Sequence, residues 1–310
     1  MKLAANPSIG ASAAELRAAL RAAIERLEES KVPSAPLAAE LLLMHILQRD
    51  RAWLYAHSEF ELSPKDAAAY PQLIERRSEG VPTQYLTGRQ EFWGLEFEVG
   101  PGVLIPRPET EHVIEVALSR MGTRRTHPLR VADIGTGSGC IAIALASELQ
   151  QAEIIATDIS ELALAYARRN AARHGFSHRI DFRHVDLLPS DADADGQAAS
   201  APERFDLLVS NPPYVARKDA PLLPREVGDH EPAEALFAGD QGLDFYPRLI
   251  LAAEHSLTVG GTLVLEMGYN GASFVRALLS ASRWSDVSVT RDLAGIERVI
   301  SARLSPRPSH

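Results

Sequence analysis

The chain has one cysteine, Cys140, in 310 residues. That excludes an intrachain disulfide and fits a reducing, cytoplasmic compartment. Long apolar runs are also missing. The nearest candidate, Leu37 to Leu47, is interrupted by Glu40 and His45 and falls short of the roughly 18 residues a membrane span needs. Pro7, Gly10 and Glu15 stand where a signal peptide would carry its apolar core. A cytoplasmic protein with no membrane partner is therefore expected. Positive charge is scarce, with 32 Lys/Arg against 41 Asp/Glu and a net charge of -9. This argues against direct binding to nucleic acid through bulk electrostatics. There are no internal repeats, no Gly-Lys-Ser/Thr phosphate loop, and no residue cluster that predicts a metal.

What is present is an ordinary globular composition, 45% hydrophobic and 24% charged. Residues 1 to 85 read as helices only. Leu16, Leu20, Ala23, Ile24 and Leu27 recur at helical spacing, with Ser12 and Glu15 as a capping box. A second helix is expected near Pro36 to Gln48, and another from Ser63, Pro64 and Asp66 to Gly80. Ten Lys/Arg against eleven Asp/Glu leave this part nearly neutral. His45 and His57 read as structural or surface residues rather than ligands. Residues 86 to 107 predict a β-hairpin linker, from Phe92, Trp93, Leu95, Phe97 and Val99, a turn at Gly100-Pro101-Gly102, and Val103 to Ile105. Pro108, with Glu109 and Glu111, marks a helix start, either a plain cap or a pocket wall.

From 108 to 310 strands and helices alternate, which predicts an α/β domain with a mostly parallel sheet covered on both faces. Asp286 to Arg291 and Glu297 to Leu304 read as an antiparallel hairpin closing that sheet. Residues 190 to 204, rich in Asp, Ala and Ser, read as a solvated surface loop.

The chemistry-bearing segments sit at expected strand ends. Gly135-Thr136-Gly137-Ser138-Gly139 follows one strand and opens a helix, so bare backbone can approach a ligand. Cys140 stands where a dinucleotide fingerprint needs its third glycine. A ligand without a pyrophosphate, such as S-adenosylmethionine, fits. Cys140 itself reads as buried core. Asp158, about twenty residues on, can accept from both hydroxyls of a ribose, or can cap the next helix. Asp186 and Leu187 follow the third strand, where an adenine would sit. Phe205 to Val209 is a buried strand stopped by Ser210-Asn211-Pro212-Pro213-Tyr214. Asn211 is pushed to extended backbone by Pro212. Its side-chain carbonyl, the Pro212 carbonyl and the Tyr214 ring suit a planar group bearing an NH2.

The segments QYLTGRQEFWG, IPRPETE, VADIGTGSGCIAIALA, ATDIS, SNPPYV, EPAEALFAGDQGLDFY, GGTLVLEMGYN and RDLAGIERV, from about residue 84 to 300, resemble the HemK/PrmC family. These are protein-(glutamine N5) methyltransferases that modify the Gly-Gly-Gln glutamine of class I peptide chain release factors. The resemblance implies a Rossmann-like class I S-adenosylmethionine-dependent methyltransferase fold with an N-terminal helical bundle. It implies that Gly135, Thr136, Gly137, Ser138, Gly139, Asp158, Leu187 and Asn211 contact the cofactor. It further implies that Asn211, Pro212, Pro213 and Tyr214 hold the glutamine, with Asn211, Pro212 and Tyr214 carrying the catalysis. Leu187 departs from relatives with Trp there, which puts ring stacking in question. The helical part, without chemistry of its own, is expected to recognise the release factor. The rival readings are a ribosomal-protein glutamine methyltransferase, an adenine-N6 methyltransferase acting on RNA or DNA, and a silent methyltransferase fold used for binding.

Overall fold

The computed structural model describes residues 15–188 and 203–307. Ser12 and all but Glu203 and Arg204 of the expected 190–204 loop lie outside the described residues. The helical elements come first: α1 (Leu16–Glu29), α2 (Ala35–Leu47), α3 (Arg51–Ala56), α4 (Pro64–Ser78) and α5 (Thr83–Thr87). Then come β1 (Arg89–Phe92), β2 (Leu95–Glu98), α6 (Glu111–Met121), β3 (Leu129–Ile134), α7 (Cys140–Glu148), β4 (Ala152–Asp158), α8 (Glu161–Arg173) and β5 (Ile180–His184). The chain ends with β6 (Phe205–Ser210), α9 (Arg225–Gly228), α10 (Ala233–Leu236), α11 (Phe245–Ser256), β7 (Leu257–Glu266), α12 (Ala272–Ser280), β8 (Trp284–Arg291) and β9 (Glu297–Leu304). No helix among the described residues is long and apolar enough to cross a membrane.

The chain divides into two compact units. One holds the residues up to Gly88 together with the distant segment Arg225–His230. Leu16, Leu27, Leu42, Leu43, Leu54, Tyr70 and Ile74 form its core. The buried Tyr70 hydroxyl donates to the Ala39 carbonyl at 2.9 Å, which satisfies its one polar atom. Ser63 caps α4 by accepting from Asp66 N. At α1 Glu15 is itself the N-cap residue and makes no side-chain cap bond. Arg77, nearly buried, pairs with Glu226, and Arg225 donates to the Glu79 carbonyl at 2.9 Å. These bonds bind the distant segment to the helices.

The other unit spans residues 89–224 and 231–310. β1 and β2 form a separate antiparallel hairpin. The hairpin is shorter than expected. Val103 to Ile105 is not a strand, because Gly100-Pro101-Gly102 and Pro106 leave it no partner ladder. The main sheet has seven strands in the order β5-β4-β3-β6-β7-β9-β8. β3 to β7 pair in parallel, and β9 runs antiparallel to β7 and β8. Alternation along each strand divides the core into two layers. Val131, Leu207 and Val209 meet α6, α7 and α8, whereas Ala132, Leu208 and Leu263 meet α11 and α12. α7 is buried all round through Leu145 and Ala146, which explains its uniformly apolar sequence. After β5 the chain returns to the opposite side of β3 as β6. The gap between β3 and β6 is thus the switch point where open α/β sheets hold ligands.

Candidate active site

A cavity opens at the carboxyl ends of β3, β4 and β6, enclosing about 980 Å³ of space, part of it open to solvent. Its floor is the turn Gly135 to Ser138. Gly135 and Gly137 lie in the left-handed region, with φ of 72° and 56°. A Cβ on Gly135 would meet nothing within 4 Å, and one on Gly137 only Val103 at 3.9 Å. Their bare backbone therefore faces open space. Gly139 behaves differently and is not part of the cavity wall. It caps α7, and a Cβ there would lie 3.1 Å from both Ala167 and Ile143. It packs closely against Ala167 of α8.

Asp158 ends β4 at the cavity wall. Its Oδ2 accepts from Gly137 N at 2.8 Å and its Oδ1 from Ser160 N at 2.9 Å. Each oxygen keeps a further lone pair. Burial raises its pKa against the pull of those backbone bonds. The cap of α8 is Ser160, which accepts from Ala163 N at 3.2 Å, so Asp158 does not serve that purpose. Beneath the turn, fully buried Asp133 accepts from the Thr136 hydroxyl at 2.6 Å and from Ala142 N at 3.1 Å. Burial pushes its pKa up to about 7.

The tip after β6 is held from two sides. The Ser210 hydroxyl donates to the Ile134 carbonyl at 2.7 Å. Asn211 Nδ2 donates to Thr110 Oγ1 at 3.0 Å, while Asn211 Oδ1 is buried with no partner. Pro212 and Pro213 line the cavity, but Tyr214 does not. The Tyr214 hydroxyl donates to buried Glu266 at 3.1 Å, and the residue is half-buried. Leu187 lines the cavity in a left-handed conformation, its carbonyl fixed by the Thr157 hydroxyl at 2.5 Å. Phe245 and Leu249 add apolar wall beside it. Cys140 also borders the cavity, but burial pushes its thiol up to about 12, which makes it inert as a nucleophile. Among the described residues the wall carries Asp158, Asp186 and Glu234 and no Lys, Arg or His. Among the described residues no group of three or more His, Cys, Asp or Glu could hold a metal ion.

The PrmC N-terminal domain family matches residues 18–88, and the Methyltransferase small domain family matches residues 114–223. A release factor glutamine methyltransferase of Koribacter versatilis is 43% identical, over 93% of this chain and 98% of that protein. The chain belongs to the release factor glutamine methyltransferase family. A second such relative, from Geobacter sulfurreducens, is 41% identical over 90% of this chain and 93% of its own length. Among solved structures, the hMettl16 catalytic domain in complex with MAT2A 3'UTR hairpin 6 superposes with a TM-score of 0.54, covering 75% of this chain and 81% of that one. At 20% identity that likeness shows the shared class I methyltransferase fold alone.

In this member of the release factor glutamine methyltransferase family, the motif reading missed two residues at the tip. Thr110 lies in the IPRPETE segment, where only a helix start or a pocket wall was expected. Glu266 ends β7, which pairs with β6 so that Ser210 faces Leu265, and Asn211 and Glu266 come next on each strand. Burial pushes Glu266 up to about 7, opposed by the Thr110 and Tyr214 hydroxyls and the Arg298 charge. A single acid closing the apolar run Leu263-Val264-Leu265 was the available signal.

Proposed function

We propose that this chain transfers a methyl group from S-adenosylmethionine to the side-chain amide nitrogen (N5) of the glutamine in the Gly-Gly-Gln motif of class I release factors. The observation that carries this reading is the Asn211 amide. Its nitrogen is tied to Thr110, and its buried oxygen has no partner at the wall of the cavity. An orphaned buried acceptor costs free energy unless a ligand donor meets it. The name shared by the curated relatives supports glutamine and release factor as the substrate.

The residues fit the cofactor. The Gly135 to Ser138 backbone is open on its cavity side. Asp158 keeps lone pairs for ribose hydroxyls. Leu187, Phe245 and Leu249 supply an apolar slot for adenine. A wall that carries three acids and, among the described residues, no basic group suits a cation and repels phosphate. When bound, S-adenosylmethionine supplies an electrophilic methyl group on a sulfonium sulfur.

The chain's own work is orientation and polarisation. Asn211 Oδ1 and the Pro212 carbonyl accept the two N–H bonds of the glutamine amide. They push density onto a nitrogen whose lone pair is otherwise delocalised and stabilise the positive charge that develops there. Fixing the amide by both hydrogens also limits its orientations, a proximity effect worth up to about 7–11 kcal/mol in ideal cases. No strong base is needed, because the surplus proton becomes acidic as the nitrogen gains its methyl. Tyr214 contributes from behind, through Glu266. The helical unit, nearly neutral and without chemistry, recognises the body of the release factor.

Asn211→Ala tests the reading. Single-turnover methyl transfer to a release factor should slow roughly 10²–10³-fold, by analogy with losing one oxyanion-hole donor. Cofactor affinity and melting temperature should change little. Near-normal transfer by folded Asn211→Ala would refute the assignment. RNA and ribosomal protein offered in parallel with labelled cofactor should remain unmethylated.

A further inference from the structure

Asn170, on α8, is fully buried. Asparagine is a poor helix former, and a buried amide costs free energy unless its groups are bonded. Here they are bonded three times. Oδ1 accepts from Glu98 N at 2.7 Å, and Nδ2 donates to the Glu98 carbonyl at 3.1 Å and to the Ser138 carbonyl at 2.9 Å. One N–H and two carbonyls allow only this orientation of the amide, since a flip would set its oxygen against both carbonyls.

Both partners lead to the cavity. Glu98 ends β2, and the chain beyond it descends one face of α8. Asn170, Tyr166 and Leu162 are four residues apart on that helix, hence on one face. A Cβ on Gly100 would overlap the Tyr166 hydroxyl, and one on Gly102 would overlap Leu162. Gly102, Val103 and Leu104 then line the cavity. Ser138 ends the glycine turn on the cavity floor. Its carbonyl would accept from Ala142 N if α7 began one residue earlier, but Ala142 N bonds to Asp133 Oδ2 at 3.1 Å. The start of α7 is thus held open by two buried side chains, Asp133 beneath the turn and Asn170 from α8.

We propose that Asn170 is a positioning residue for the cofactor, a single buried amide that sets the glycine turn against the Gly102–Leu104 wall. This rests on the S-adenosylmethionine reading given above. The Ser138 carbonyl, drawn toward α8, keeps the turn in the left-handed shape at Gly135 and Gly137 that opens their backbone to the ligand. Glu98, on the same amide, fixes the wall that faces the turn, where Val103 lies 3.9 Å from the place of a Cβ on Gly137. Asn170 does not itself line the cavity. Its loss should therefore weaken cofactor binding and leave the chemistry of the bound cofactor nearly unchanged.

The test uses the full chain with Asn170→Ala, Asn170→Asp and Arg169→Ala. The calorimetric Kd for S-adenosylmethionine should rise about 3- to 10-fold in Asn170→Ala, the worth of one neutral hydrogen bond. At saturating cofactor, kcat and KM for a release factor should stay within about twofold of wild type. Asn170→Asp keeps the shape and the acceptor for Glu98 N, but a carboxylate cannot donate to Ser138, so it should lose at least as much affinity. Arg169→Ala removes the half-exposed pair with the Glu98 carboxylate at 3.0 Å and leaves Asn170 in place, so its Kd should match wild type. A further readout needs no variant. By linkage, a cofactor that favours the set turn must also favour the bonds that set it. Saturating S-adenosylmethionine should slow hydrogen exchange of the wild-type Glu98 amide by at least about threefold, and more than that of the β8 amides at the far edge of the sheet.

A Kd within about twofold of wild type in folded Asn170→Ala, recovery of affinity in Asn170→Asp, or an equal loss in Arg169→Ala would overturn the proposal. Should neither Asn170 variant fold, exchange at Glu98 decides, and slowing no greater than that of β8 overturns it. If the wild type binds no S-adenosylmethionine, it is the cofactor reading that fails.

Discussion

Asp158→Asn separates two things one carboxylate does. In the wild type Oδ2 holds the Gly137 amide at 2.8 Å and Oδ1 the Ser160 amide at 2.9 Å, so both oxygens brace the turn before any ligand arrives. Asparagine preserves the shape but has one oxygen. Its NH2 must face one of those two N–H groups, donor against donor. The charge that would bind the ribose hydroxyls is also gone. Hydrogen bonds to a charged group are worth about 1.5–3 kcal/mol, so Kd for S-adenosylmethionine should rise about 10- to 150-fold. Stability should respond much less. Burial makes the Asp158 charge costly, as its raised pKa records, and removing that cost offsets the lost backbone bond. The melting temperature should stay within about 3 °C. Calorimetric titrations with S-adenosylmethionine and with S-adenosylhomocysteine, which lacks the positive charge, supply the assay. Equal losses for both ligands mean that ribose bonding carries the effect. A loss confined to the methylated ligand means that attraction to the sulfonium does. Affinities within about threefold of wild type for both, with a clear drop in melting temperature, would refute the ribose assignment and leave Asp158 as a brace for the turn.

Glu266 gives a stability prediction with a definite sign. Its folded pKa is raised from 4.5 to about 7, so its contribution is full below about 4.5 and is lost as pH rises through 7. Between pH 6 and pH 8 wild-type stability should fall by about 1.4 kcal/mol through this group, and denaturant melts of Glu266→Gln should lack that component; an identical pH dependence in both would count against it. Gly242→Ala would put a Cβ 2.3 Å from the Tyr214 carbonyl oxygen, at a glycine with φ of 74°. That backbone contact cannot yield without moving the tip, so stability should drop by about 1–3 kcal/mol and single-turnover transfer should slow, whereas normal values of both would show that the tip tolerates displacement.

The parallel strands, the glycine turn and the Asn-Pro-Pro tip were legible because each is written in neighbouring residues. Buried strands read as apolar runs, and proline constrains its own backbone and that of the residue before it. The link from Asn211 to Thr110 spans 101 positions and brings the segment before α6 to the end of β6, which no local pattern encodes. The bond from the Tyr214 hydroxyl to Glu266, a partner 52 residues away, was hidden for the same reason. Gly139 was grouped with its neighbours by composition, yet it answers to Ala167 on α8 rather than to the cavity. The strand expected at Val103 to Ile105 had the right side chains but no partner, and it became irregular wall at the cavity instead.

The short segment Arg225–His230 makes the helical unit discontinuous in the gene. A recombination event that moved residues up to Gly88 into another protein would carry Arg77 away from Glu226, and the Glu79 carbonyl away from Arg225. Arg77 is only 4% exposed, so its charge would lose its partner in a setting built to hide it. Exchange of this unit alone between relatives therefore needs three crossovers, one after Gly88 and one on each side of Arg225–His230. The helices and the chain that follows the tip are constrained to be inherited together.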